Sequence, residues 1–203
     1  MSPHPLHVEE ALLGFDAREV SLPPWDASRR DLYLLRRDVQ KPLSVDSTVW
    51  PSLFPVDLPE WRGPNQGLWD DLSRLRASLG QRSSQAHWTV AVSWVSIDGF
   101  SKPSPSAGPY REPMTPPAID PAWRRLGFDV ADAGLTSGLT NCGYLQTEVA
   151  GLRASWASDL NEHHLFTDVA KAFAFRDLTD RRVPEHAPFF AYALWLVEGQ
   201  RSR

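Results

Sequence analysis

The side chains best suited to chemistry are a single cysteine, six histidines and a close pair of aspartates. Cys142, with His186 and either Asp129 or Asp132, supplies the residue types of a thiol nucleophile system. In such a system an imidazole takes the thiol proton and a carboxylate orients the imidazole. Glu162, His163 and His164 would form a metal or acid–base cluster with Glu185 and His186 if their two loops met. Spacing argues against both arrangements. His163 and His164 are adjacent, so their rings diverge on any regular element, and zinc needs three or four convergent ligands. Cys142 stands between Asn141 and Gly143 with no base beside it in the chain, and free cysteine is commonly a packing residue. Asp129 and Asp132 are three residues apart and face opposite ways on a strand. Capping the turn that enters the glycine-rich segment is the simpler role for one of them. A hydrolase built on Asp129, Asp132, Cys142, His163 and His186 is therefore the alternative reading.

Sequence signatures of other chemistries are missing. There is no H-E-x-x-H, and Gly134, Gly138 and Gly143 fit neither dinucleotide nor phosphate-loop spacing. Ser137-Gly138 lacks the G-x-S-x-G elbow. No catalytic residue, metal or cofactor is expected from these patterns.

Composition narrows the partners. The net charge is −4, with both signs mixed along 203 residues. No basic tract could neutralise a row of phosphates, so nucleic acid is not an expected partner. No stretch reaches the roughly 20 apolar residues that span a bilayer. Residues 1–10 lack a cationic start followed by an apolar run, so they do not read as a secretory signal. A lone cysteine fits a reducing compartment. These features point to a soluble, cytoplasmic chain of one domain, with residues 1–10 and 199–203 fraying.

Periodicity then supplies the elements that would position any site. Residues 87–97 alternate Trp88, Val90, Val92 and Trp94 against Ala91, Val95 and Ile97. Residues 189–197 are likewise apolar on both faces. Both are expected as central strands of a sheet covered on two sides. Residues 31–39 and 126–131 are expected as further strands. Leu68, Leu72, Leu75 and Leu79 form a helical stripe over 65–79, with Asn65 as N-cap. Helices are also expected over 145–160 and 166–178. Twelve of the eighteen prolines crowd two loops. One spans 42–64, where Trp50, Phe54 and Trp61 would pin it to a core; the other is the long excursion 101–121. Helices do not alternate regularly with strands, so the expected class is α+β, with a mostly antiparallel sheet, about three packed helices and long proline-rich loops.

Residues 127–144, 160–175 and 183–197 together resemble a group of uncharacterised bacterial proteins akin to the small, acidic immunity or accessory proteins encoded beside secreted toxins. The resemblance covers the C-terminal third to half of the chain and carries no catalytic residues onto it. It implies a non-enzymatic protein that binds and occludes a cognate toxin, with a basic toxin domain as the candidate partner. The expected contacts are Trp50, Asp57, Glu60, Trp61, Asp70 and Asp71, with Tyr110 and Arg111 in the long loop. Trp25, Trp50, Trp61 and Trp69 have two available roles: anchoring the proline-rich segment to the core, or serving as exposed hot spots.

Overall fold

The structure is a computed structural model and describes residues 7–20, 35–54, 67–82, 86–97, 114, 119–141 and 144–200. The two segments with apolar residues on both faces form the centre. They are β2 (His87–Ile97) and β4 (Phe189–Gln200), paired antiparallel. Outside them lie β1 (Val8–Glu19), beside β2, and β3 (Arg124–Asp132), beside β4. All pairings are antiparallel, in the order β1-β2-β4-β3. Among the described residues, three helices accompany the sheet in this α+β architecture: α1 (Leu72–Arg82), α2 (Gln146–Trp156) and α3 (Val169–Arg182).

The two faces of the sheet are covered differently. On one, Leu75 and Leu79 of α1 pack with Leu12, Phe15 and Ala17 of β1. On the same face Val149 of α2 and Phe173 and Phe175 of α3 pack with Phe128, Val130, Ala191 and Ala193. On the other, the proline-bearing segment lays Leu43, Val45 and Trp50 against Val90, Val92, Tyr192 and Leu194. Burial on both faces explains the continuous apolar character of β2 and β4.

Each edge strand carries a bulge with a glycine where a loop closes on it. β1 shifts register between Leu12 and Gly14, and the adjoining Phe15 exchanges two backbone hydrogen bonds with Trp69, at 2.8 and 2.7 Å. β3 shifts between Arg125 and Gly127, and Phe128 does the same with Phe166, at 2.9 Å each. A Cβ at Gly14 would lie 2.7 Å from the Trp69 carbonyl oxygen, and one at Gly127 would lie 2.6 Å from Leu165 Cβ. Only glycine admits so close an approach. These segments occupy edge groups that would otherwise invite strand addition.

Several expectations need correction. β1 takes up Val8–Glu10, which were expected to fray, and β4 continues to Gln200. Residues 35–39 form bends and not a strand, although Leu35 and Val39 are buried; 31–34 lie outside the described residues. The helix expected from residue 65 begins at Leu72, because Trp69 is held in the bridge to Phe15. Asn65 lies outside the described residues, and Asp71 caps α1 by accepting from Ser73 N at 2.7 Å and Arg74 N at 3.3 Å. Phe166 likewise belongs to an edge bridge, so α3 starts at Val169 behind its cap Asp168. The helix expected over 145–160 ends at Trp156 and tightens into a 3-10 turn, Ala157–Asp159. Of the excursion 101–121, only Met114 and residues 119–121 are described.

Candidate functional site

Among the described residues, a dense polar cluster lies where the proline-bearing segment meets β3. Asp129, 1% exposed, turns from β3 toward that segment. Its Oδ2 accepts from Ser44 Oγ at 2.5 Å and Val45 N at 3.0 Å. Its Oδ1 accepts from Ser137 Oγ and Val130 N, both at 2.8 Å. Burial raises this carboxyl to about pH 6, against the lowering effect of its four donors. Asp46 extends the cluster. Its Oδ2 accepts from Asn141 Nδ2 at 2.6 Å and Ser137 N at 3.2 Å, and its Oδ1 from Thr48 N and Oγ1, both at 2.8 Å. Both carboxylates are thus held by donors of the chain itself.

Asp132 has a different role from Asp129, as a spacing of three on a strand requires. Its Oδ1 accepts from Thr136 N at 2.8 Å, which caps the turn after β3. Its Oδ2 lies 3.1 Å from His186 Nδ1, with the two side chains 13% and 42% exposed. This is the geometry of a carboxylate orienting an imidazole. His163 does not join it. Its ring meets Trp88 edge-on at 6.3 Å between centroids, and Trp88 pairs near the far end of β4 from Phe189, the partner of Asp132. Burial holds the His163 imidazole below its ordinary range. Cys142 lies outside the described residues. Among those residues, no group of three His, Cys, Asp or Glu side chains is placed to hold a metal ion, and no helix is long and apolar enough to cross a membrane.

The expected partner contacts divide sharply. Trp50 is fully buried. Its Nε1 donates to the Glu19 carbonyl at 2.9 Å, and its ring meets Trp88 edge-on at 5.9 Å. It anchors the segment and offers no surface to a partner, which corrects its place among the contacts. Trp69 is also buried, edge-on to Phe54 at 5.2 Å. Asp70 and Asp71 are exposed ahead of α1, with Asp70 3.5 Å from Arg74 one turn on. Asp57, Glu60, Trp61, Tyr110, Arg111 and Trp25 lie outside the described residues.

Two buried ionisable features have no clear sequence signal. Arg18 and Asp16, two apart on β1, pair at 2.6 Å, Nε to Oδ2, and are 2% and 1% exposed. Arg18 also donates to the carbonyls of Trp50 and Val45, tying β1 to the proline-bearing segment. Burial raises the Asp16 carboxyl, against the pull of Arg18 and the donors Ser52 and Ala17. His164 is fully buried with a φ of +65°. Its ring lies against the Leu139 carbonyl without reaching hydrogen-bond geometry, and burial lowers it to about pH 4. In sequence, Asp16 and Arg18 alternate with Phe15 and Ala17 and resemble a solvent-facing row.

Comparison with protein-family models, with curated proteins and with solved structures finds no match. The α+β class therefore rests on the sheet and helices themselves.

Proposed function

We propose that the chain is a protein-binding module of immunity type, which neutralises a cognate bacterial toxin by sterically covering the toxin's active site. The observation that carries this reading is the division of the acidic side chains. Asp16, Asp46 and Asp129 are buried and engaged by the chain's own donors. Asp70 and Asp71 stand exposed ahead of α1, in the same stretch of sequence as Asp57, Glu60 and Trp61. Acidic groups beside an aromatic residue suit a basic protein surface, where charge complementarity steers encounter and fixes register. Co-expression with the product of the adjacent gene tests the reading. Rescue from that product's toxicity, together with a complex that survives purification, is the expected result. Unchanged toxicity without a complex overturns it.

A second reading, a hydrolase, draws on the 3.1 Å contact of Asp132 with His186. In that reading His186 is the base and Asp132 its orienting group. Rescue that persists in His186→Ala favours the binding module, and rescue lost in that variant while the complex survives favours the hydrolase.

A further inference from the structure

The cluster at Asp129 has a property independent of any partner. None of its four donors carries a charge, yet it joins three parts of the chain: residues 44–45, β3 and the turn at Ser137. We infer that Asp129 is a proton-operated latch for residues 43–50, which seat more firmly on the sheet when its carboxyl is protonated and lift more readily when it is ionised.

The groups around it support this direction. In the same segment stands a second carboxylate, Asp46, whose N–H donates to Ser44 Oγ at 3.0 Å. From β1, Arg18 reaches the Val45 carbonyl at 3.0 Å, but its charge is matched by Asp16 at 2.6 Å. At the end of β3, Asp132 is paired with His186. From β4, the Tyr192 hydroxyl donates to the Asp132 carbonyl at 3.2 Å. From the turn at 161–166, His163 presents its backbone carbonyl to Leu43 N at 3.0 Å. A carboxylate shielded from water with no cation beside it is disfavoured in its charged form, and here that cost of burial outweighs the help of the four neutral donors. Ser44 and Ser137 are hydroxyl rotors, so either can turn to accept the added proton.

Lifting the segment hydrates Asp129 and returns it to an ordinary affinity near pH 3.9. Seated, it holds its proton up to about pH 6. Protons therefore favour the seated state, and the opening equilibrium falls about tenfold between pH 7 and pH 5.

Hydrogen exchange of the Val45 amide, which donates to Asp129 Oδ2, reads the latch directly. After correction for intrinsic exchange, its protection should rise about tenfold from pH 7 to pH 5. The Val92 amide in β2 should not share that rise, and Asp129→Asn should abolish it. A carbon-detected titration of the wild-type Asp129 carboxyl needs no variant, and a midpoint near pH 6 is expected. A midpoint below about 4.5, a flat Val45 response, or one moving in step with Val92 overturns the latch.

Discussion

The guanidinium of Arg18 lies 2.6 Å from the carboxylate of Asp16, two residues earlier on β1, and both side chains are shut away from water. The pair welds an edge strand to the segment that covers one face of the sheet, because Arg18 also holds the carbonyls of Val45 and Trp50. Arg18→Met leaves Asp16 as a buried charge without a cation. The expected loss is about 3–5 kcal/mol, since breaking one side of a buried pair exposes the other to the full cost of desolvation. Replacing both residues with apolar ones of similar volume should cost much less. Urea unfolding of the single and double variants measures the difference.

Trp50 belongs to the same construction. Trp50→Ala removes a fully buried ring that packs on Trp88 and should cost about 3–5 kcal/mol of stability. The change should appear in the urea midpoint. A variant that kept its stability and lost only partner affinity would restore Trp50 to the contact surface.

His164 governs a separate acid response. The unfolded chain takes up a proton on this imidazole near pH 6.5, whereas the folded state does so only near pH 4. Between those values the unfolded state holds more protons, so stability falls as the pH drops. Asp129 acts in the opposite sense below about pH 6, because its folded carboxyl binds the proton more tightly. The two effects oppose one another in the wild type. His164→Phe should remove the first alone, so from pH 7 to pH 4 the variant should gain about 3 kcal/mol relative to the wild type. Urea titrations across that range follow the difference.

Legibility followed the kind of burial each residue experiences. β2 and β4 were readable because both faces meet apolar partners, and β2 coincides with the expected 87–97. β1 was not readable, because its buried ion pair presents charged letters at positions that pattern alone assigns to solvent. The starts of α1 and α3 were displaced for one shared reason. Leu68 and Phe166 continue the helical spacing, but Trp69 and Phe166 are captured by sheet edges at glycine bulges, and tertiary pairing overrides local periodicity. In the candidate sites, turn capping was expected of one aspartate of the pair without saying which; it falls to Asp132, and Thr136 supplies the donor. The Ser44–Asp129–Ser137 clasp joins residues distant in the chain, and no spacing rule links them.

The proposed function is tested most directly by calorimetric titration of the purified chain with an inactivated form of the adjacent gene's product. The wild type should form a 1:1 complex. Asp70→Arg combined with Asp71→Ser reverses one exposed charge and removes another while keeping a capping oxygen at position 71. That variant should unfold at the wild-type urea concentration and bind at least tenfold more weakly. Binding heats absent from the wild type, or an affinity untouched by the double change, would contradict the proposed acidic docking surface.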